Sequence, residues 1–109
     1  MHDEMLSTEM RKGFLKVMIL HIVKERPSHG YEIIQEIEKK THKGWTPSPG
    51  SVYPALEALE KKGYVQCEEM DRKKVYTITE KGKAALEQIH AKRRQWLQEL
   101  EAFFGDILE

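Results

Sequence analysis

Residues 46–65, TPSPGSVYPALEALEKKGYV, place hydroxyl side chains and helix breakers at the start of an amphipathic helix. The first four N–H groups of a helix lack internal partners, so proline costs little there. Those N–H groups also attract an anion without help from any basic side chain. The segment therefore predicts a helix that begins with Ser48 as its cap and Pro49 at the first helical position, and that binds phosphate through Ser48, Ser51 and bare N–H groups.

A second group of candidate phosphate ligands is the basic run Arg72, Lys73 and Lys74. Residues 64–70 and 73–79 are two short segments that alternate in polarity and predict the strands of a β-hairpin. The run thus falls at the hairpin tip and the start of its return strand. A charged tip is often only a solvated turn, whereas next to DNA it would contact the backbone or the minor groove.

Histidine and cysteine are present, but not at the spacing of a metal site. None of the five histidines forms a His-x-x-x-His pair or lies at ligand spacing from Cys67. Cys67 alternates with Val65 on the predicted inward face, which indicates a small buried residue and not a redox sensor. The sequence also has no nucleophile elbow, paired-carboxylate setting, phosphate loop or cofactor fingerprint. We therefore expect no metal, no cofactor and no enzymatic activity.

Length and composition narrow the class of protein. The chain has 109 residues, enough for one small domain with an appended element, and eighteen basic side chains balance eighteen acidic ones. Any nucleic-acid binding must then depend on local basic patches. A single cysteine fits a reducing compartment, and no apolar run approaches the roughly 20 residues of a membrane span. We expect a cytoplasmic protein with no membrane contact.

The predicted order of elements is three helices, a hairpin and a long final helix. The first helix spans 6–24 and is apolar nearly all round; Ser28 is expected to cap the second, which spans 29–40. Gly63 ends the third helix, and Thr79 caps the last. Helices two and three match a helix-turn-helix and the hairpin matches its wing. The fold class is mainly α with a small β-hairpin.

The final helix carries an apolar stripe that the small body cannot cover. Extending to about residue 108, it would be roughly 40 Å long at 1.5 Å per residue. Its apolar residues recur at heptad spacing, with one arginine among them, which predicts a packing surface for a second subunit and its first helix. The predicted dimer interface comprises Leu86, Ile89, Arg93, Trp96, Leu97, Leu100, Phe103, Phe104 and Ile107.

Three segments, RPSHGYEIIQEIE, SPGSVYPALEALEKKGYV and RKKVYTITEKGKAAL, follow one another along nearly the whole chain. With them the sequence resembles the PadR-like transcriptional regulators, in the branch with a short C-terminal region. The resemblance implies a homodimeric repressor that binds double-stranded DNA at a near-palindromic operator and is released by an effector. It also implies a winged helix-turn-helix DNA-binding domain over 1–78 and a dimerisation helix over 79–109.

The resemblance places the starts of the second and third helices, and the wing, at the DNA. The implied DNA-binding residues are His29, Gly30, Tyr31, Ser48, Pro49, Ser51, Tyr53, Arg72, Lys73 and Lys74. Tyr53 can bond a phosphate, pack its ring under the wing, or do both. The sequence departs from the family pattern at Glu57 and Ala58, where basic or polar residues are common. Because a carboxylate repels phosphates, this predicts weak or unusual base reading.

Some relatives bind flat aromatic molecules between their C-terminal helices, with a tryptophan stacked on the ligand. By resemblance, a small aromatic effector would contact Trp96, with Phe14 or Phe103 nearby; the alternative for Trp96 is plain interface packing. A second function also stays open. The neutral net charge, Glu57 and the short wing are compatible with a winged-helix protein-interaction module that does not bind DNA.

Overall fold

Four helices and a three-stranded antiparallel sheet form the described part of the chain. The structure is a computed structural model that describes the backbone of residues 2–105 and the side chains of residues 12–105. In chain order the elements are α1 (His2–Glu25), β1 (Ser28–His29), α2 (Gly30–Lys40), α3 (Pro49–Lys61), β2 (Val65–Met70), β3 (Lys73–Ile78) and α4 (Glu80–Phe104). This order confirms the predicted winged helix-turn-helix with a long final helix.

The helix ends confirm most of the predicted caps. Ser48 is the N-cap of α3 and Pro49 its first residue. Gly63 follows the end of that helix with a φ of 80°, a left-handed conformation that glycine adopts without strain. Thr79 caps α4 by accepting a hydrogen bond from the Gly82 N–H at 3.0 Å, and its hydroxyl donates to the Gly63 carbonyl at 2.6 Å. The end of α3 is thereby fixed to the start of α4.

The predicted cap of α2 was wrong by one residue. His29, not Ser28, is the N-cap: its Nδ1 accepts from the Glu32 N–H at 3.3 Å, and the Glu32 carboxylate accepts from the His29 N–H at 3.0 Å. This reciprocal pair is a capping box. Ser28 is buried, and its hydroxyl donates to the Arg26 carbonyl at 3.1 Å. The Ser28 hydroxyl is thus turned toward the preceding turn and does not reach the first N–H groups of α2.

The sheet contains a strand that the sequence did not reveal. Its order is β1-β3-β2, with Ser28 opposite Tyr76 and His29 opposite Val75. A strand of two residues is too short to show an alternating pattern, so periodicity could not detect it. The pairing joins the first turn of α2 to the return strand of the wing, and these two elements therefore hold a fixed position relative to each other.

The wing matches the predicted hairpin. Val65 pairs with Ile78 and Cys67 with Tyr76, and Met70 pairs with Lys73 around a two-residue turn. Val65 is buried, as expected, but Cys67 is only partly buried because it lies nearer the exposed turn of the hairpin. Burial, followed by the neighbouring Cys67, raises the pKa of Tyr76 to about 12. Tyr76 thus stays a neutral core side chain throughout the ordinary pH range.

The core lies where α1, α2 and α3 meet the sheet and the first turns of α4. Its most deeply buried large side chains are Ile19, Ile33, Ile37, Leu56 and Leu86. Leu86 is 1 % exposed in the single chain, so it packs against its own subunit and is not an open surface for a partner. In this respect the predicted interface needs correction, since the free stripe of α4 begins after Leu86.

Neither a membrane-spanning helix nor a cluster of metal-binding side chains occurs among the described residues. Among residues 2–105, no helix combines the length and the apolar character needed to cross a membrane. Among residues 12–105, whose side chains the structure describes, no three His, Cys, Asp or Glu side chains lie close enough together to hold a metal ion.

Candidate nucleic-acid interface

Three elements converge on one open cleft of about 500 Å³. The start of α2, the first half of α3 and the tip of the wing each contribute to its walls. Seven of the ten predicted DNA-binding residues line it, namely His29, Gly30, Tyr31, Tyr53, Arg72, Lys73 and Lys74. These residues are distant in sequence, and the pairing of β1 with β3 brings them together.

Tyr53 covers the start of α2, and Gly30 makes room for it. A Cβ atom built on Gly30 would lie 2.5 Å from the Tyr53 hydroxyl oxygen and 2.6 Å from the ring carbon beside it. The ring therefore rests directly on the Gly30 backbone, while 42 % of the Tyr53 surface stays exposed. The Tyr53 ring thus packs against the start of α2, whereas the prediction placed it under the wing. The partial exposure of the side chain is compatible with the other predicted role, hydrogen bonding to a ligand.

The start of α3 differs in detail from the prediction. Ser48, Pro49 and Ser51 are exposed but lie outside the cleft between α2 and the wing. The N–H groups of Ser51 and Val52 both donate to the Ser48 carbonyl at 3.0 Å, so they are not bare as predicted. The Ser48 side chain makes no capping bond and donates instead to the Ser51 hydroxyl at 3.3 Å. This helix start therefore offers hydroxyl groups more than backbone donors.

The wing supplies the positive charge of the cleft. Arg72, Lys73 and Lys74 are all exposed, and none forms a salt bridge with a residue in the described part of the chain. Lys74 pairs in register with Glu69 on β2, whereas Lys73 lies opposite the uncharged Met70. The three cations can therefore approach an external anion, with one carboxylate close by.

The turn of the wing is formed by two residues that disfavour its geometry. Asp71 has a φ of 51° and Arg72 a φ of 66°, both left-handed. Two-residue hairpin turns of this kind prefer Asn-Gly, because a Cβ atom is strained at positive φ. A side chain that costs stability at this position is compatible with a role in binding.

Replacing Arg72 with glycine is therefore expected to raise stability and lower DNA affinity. Arg72→Gly should increase the free energy of unfolding by roughly 0.5–1 kcal/mol, since glycine adopts this φ freely. If the cleft binds DNA, the variant should also lose one phosphate contact per chain, which reduces the slope of log K against log salt by roughly 1 for each chain bound. Urea unfolding and DNA titration measure the two effects. Asp71→Gly is the matched control: it should stabilise the same turn without weakening binding.

The exposed face of α3 carries little positive charge. Gly50, Pro54 and Glu57 are exposed, while Val52, Ala55, Leu56 and Leu59 are buried on the opposite face. Lys61 is the only basic residue of this helix, and it lies in the last turn. A helix that presents a carboxylate in its middle needs cations from neighbouring elements to approach DNA.

Past its first two turns, α4 presents exposed aromatic side chains. Trp96 is 60 % exposed, Phe103 80 % and Phe104 43 %, and the rings of Phe103 and Phe104 meet edge to face at 4.8 Å. Leu97 and Arg93 are also exposed, whereas Ile89 and Leu100 are partly covered. Ile107 lies outside the described residues. The stripe from 89 to 104 thus has the open apolar character expected of an interface.

The predicted effector residues do not share a pocket within one chain. An apolar groove at the junction of α1, α3 and α4 has a volume of about 330 Å³, with Val17, Leu20, Leu59 and Ile89 among its lining residues. Phe14, Trp96 and Phe103 lie outside this groove, and Phe14 is itself half exposed. A site formed by these three residues would therefore require a second subunit.

Two histidines meet where α1 crosses α4. The rings of His21 and His90 lie edge to face at 6.4 Å, and the buried Nδ1 of His90 has no hydrogen-bond partner among the described residues. Burial, followed by the charge of Arg93, holds the pKa of His90 below its usual value. A neutral imidazole suits this position, because further cations from Arg94 and Lys24 lie nearby.

A family model and a curated relative each match more than half of the chain. The family model described as "Transcriptional regulator PadR-like family" matches residues 19–88. The "Transcriptional regulator YqjI" of Escherichia coli is 42 % identical over 88 residues, which are 80 % of this chain. The match covers only 37 % of the Escherichia coli protein, so this chain spans little more than a third of that relative.

Solved structures resemble the chain along most of its length. A transcriptional regulator from Clostridium thermocellum superposes with a TM-score of 0.78 at 26 % identity, covering 90 % of this chain and 96 % of the other. Bacillus subtilis PadR, solved in complex with operator DNA, superposes with a TM-score of 0.63 at 26 % identity, covering 69 % of this chain and 46 % of the other.

Proposed function

Because the chain belongs to the PadR-like family of transcriptional regulators, we propose that it is a homodimeric repressor that binds a near-palindromic DNA operator and is released by an effector. The observation that carries this proposal is the cleft formed by α2, α3 and the wing. Its basic residues, Arg72, Lys73 and Lys74, face outward beside Tyr31 and Tyr53. Such a surface suits a phosphate backbone, and a neighbouring structure, that of Bacillus subtilis PadR, contains operator DNA.

Each part of the interface has a role in this proposal. Arg72, Lys73 and Lys74 would neutralise phosphates from the wing, while His29, Gly30 and Tyr31 would meet the backbone where α2 begins. Tyr53 would donate its hydroxyl hydrogen to a phosphate while its ring stays on Gly30. The hydroxyl groups at the start of α3, those of Ser48 and Ser51, would contact the backbone beside Pro49, with α3 in the major groove.

Homodimerisation through the final helix, residues 79–109, supplies the symmetry of the operator. The exposed aromatic stripe on α4 supports this part of the proposal, since large apolar patches on a small protein mark interaction surfaces. A two-fold axis would place two copies of α3 in successive major grooves about 34 Å apart.

Hydroxyl-radical footprinting on the region upstream of the protein's own coding sequence tests the function. We expect two protected backbone patches about 10 base pairs apart, related by a two-fold axis, at a stoichiometry of two protomers per site. Absence of protection at every protein concentration, together with a stable protein partner that resists nuclease treatment, would instead support the protein-interaction module.

Trp96 is the centre of the proposed effector site. Its ring is exposed in one protomer, so two copies meeting at the dimer axis could hold a flat aromatic molecule, with Phe14 or Phe103 as further walls. Ring stacking adds roughly 0.5–1.5 kcal/mol beyond buried area. Such binding would change the angle between the two α4 helices, and a coupling of about 1–3 kcal/mol is enough to alter operator affinity.

Fluorescence titration tests this site. In a Trp45→Phe background, which leaves Trp96 as the only tryptophan, planar aromatic compounds are expected to quench the emission saturably and to release bound operator DNA. The quenched dimer should sediment as the free dimer does. If quenching does not occur, or if Trp96→Ala yields monomers while the compounds still release DNA, Trp96 serves only to pack the interface.

A further inference from the structure

The helix α3, which the proposed function places in the major groove, carries unusually little positive charge for a helix that lies on DNA. The outward face of α3 carries Glu57 in its middle, and its only cation is Lys61 in the last turn. The wing supplies cations on one side only, that of the cleft shared with α2. A duplex lying along α3 would therefore meet positive charge only on the flank next to the wing, unless another element supplies cations on the opposite flank.

The structure has a second cleft, on the opposite flank of α3. It has a volume of about 350 Å³ and is formed by α1 and the exposed side of α3. Its lining residues are Lys12, Leu15, Lys16, Gly50, Ser51, Pro54, Ala55 and Ala58. Two lysines from α1 thus share a cleft with Gly50 and Ser51, at the end of α3 that the proposed function places on the DNA backbone, and Lys16 also lines the neighbouring groove next to Ala58.

The geometry of α1 directs these lysines toward that end of α3. Lys12 and Lys16 are one turn apart and therefore share a face of the helix, and both are exposed. Leu15, beside them, is 5 % exposed and anchors this part of α1 in the core. Phe14 is two residues from each lysine and so lies on the opposite face. A dimer contact through Phe14 would leave the lysine face accessible.

Small side chains make the cleft open to a large ligand. Gly50, Ser51, Ala55 and Ala58 add little bulk, so a sugar-phosphate strand can approach the backbone of α3 closely. Lysine ammonium groups bind phosphate as point charges on flexible stems and do not require a fixed orientation. The cleft therefore fits an extended polyanion better than a compact, hydrogen-bonded ligand.

We propose that Lys12 and Lys16 bind the DNA backbone beside the start of α3, forming a second basic flank opposite the wing. The inference rests on the proposed function and deepens it, because neither lysine is among the residues that the sequence predicted to contact DNA. With this flank, a helix that carries Glu57 is held on the duplex by cations from both sides. The two lysines contribute affinity without reading sequence, since phosphates are common to all sites.

Salt-dependent binding of the double variant Lys12→Ala/Lys16→Ala tests the inference. Fluorescence anisotropy with a duplex from upstream of the coding sequence, and with an unrelated duplex of the same length, gives affinity at several salt concentrations. With one lysine contact per protomer, the slope of log K against log salt should fall by roughly 2, and with both by roughly 4. Affinity for the two duplexes should fall by the same factor, at least about tenfold in 0.1 M salt.

Two controls separate charge from folding. Lys39→Ala/Lys40→Ala removes the same two charges from the far end of α2 and breaks only the exposed Lys40–Glu25 pair, so it should bind DNA as the wild type does. Lys12→Arg/Lys16→Arg keeps the charge and should retain both the slope and the affinity. Thermal unfolding of the alanine variant should remain cooperative, which shows that the variant is folded.

The outcomes distinguish this inference from the function on which it rests. If the wild type shows salt-dependent binding and the alanine variant keeps the same slope, the α1 lysines do not contact DNA and only this inference fails. If the wild type itself binds no duplex at any salt concentration, the proposed function fails first. A loss confined to the upstream duplex, with unchanged binding to the unrelated one, would also overturn the inference because it would indicate sequence reading.

Discussion

Neutralising the wing is expected to weaken DNA binding at least about a thousandfold in 0.1 M salt. In the variant Arg72→Gln/Lys73→Gln/Lys74→Gln, each protomer loses three exposed cations, so a dimer loses up to six phosphate contacts. Each contact in B-DNA contributes about 0.9 to the slope of log K against log salt, and the slope should fall by roughly 5. The effect is large because α3 itself contributes only Lys61. Anisotropy titrations over a range of salt concentrations measure both quantities.

A charge-retaining variant provides the control for the wing. Lys73→Arg/Lys74→Arg keeps both cations on the return strand and should preserve affinity and slope. The glutamine variant should remain folded, since the three side chains are exposed and form no salt bridge with a described residue. A glutamine variant that binds as tightly as the wild type would show that the wing is a solvated turn.

The largest expected loss of stability is at Gly82, in the first turn of α4. A Cβ atom there would lie 2.1 Å from the Tyr64 carbonyl oxygen and 2.8 Å from Cγ1 of Ile78. Tyr64 cannot move aside easily, because its carbonyl accepts from Thr79 at 3.0 Å and its N–H donates to Leu59 at 2.9 Å. Gly82→Ala is therefore expected to lower the free energy of unfolding by about 3 kcal/mol, combining overpacking with a weakened hydrogen bond.

Gly13→Ala is the matched control, since Gly13 is also helical but has no atom within 4 Å of the added Cβ position. That variant should gain about 1 kcal/mol from helix propensity. Urea unfolding at one fixed protein concentration compares the two. Equal midpoints for Gly82→Ala and the wild type would mean that α4 does not pack closely against Tyr64.

Local signals in the sequence were sufficient to predict the order of the helices and strands. Pro49 after Ser48 marked the start of α3, and Gly63 marked its end, because proline and glycine have strong backbone preferences at these positions. Alternating polarity located both strands of the wing. Their register is set by the short turn at Asp71 and Arg72.

Contacts between distant residues could not be inferred in the same way. The strand β1 is too short to carry a pattern, yet it fixes α2 against the wing. Gly30 could be identified as a helix start, but the reason for it is the Tyr53 ring, which lies 23 residues further along the chain. Leu86 has the same heptad spacing as the exposed residues of α4 and differs from them only because it lies in the core of its own subunit.

The same contrast between local sequence signals and contacts of distant residues applies to the candidate interface. The wing cations and the start of α2 were identified from residue type and family resemblance, and the structure brings them into one cleft. Lys12 and Lys16 had no such signal, since lysines on a helix surface are common. Only the packing of α1 against α3 places them beside Ser51.

Salt dependence of the wild-type affinity for the upstream duplex tests the central claim most directly, because counterion release follows the number of phosphates neutralised. The wings of a dimer make up to six such contacts, so log K should fall with log salt at a slope of roughly −5, or more steeply where the α1 lysines add contacts, with a stoichiometry of two protomers per duplex. A slope near zero, or no binding even at the lowest salt concentration, would contradict the claim that this protein binds DNA through its wing.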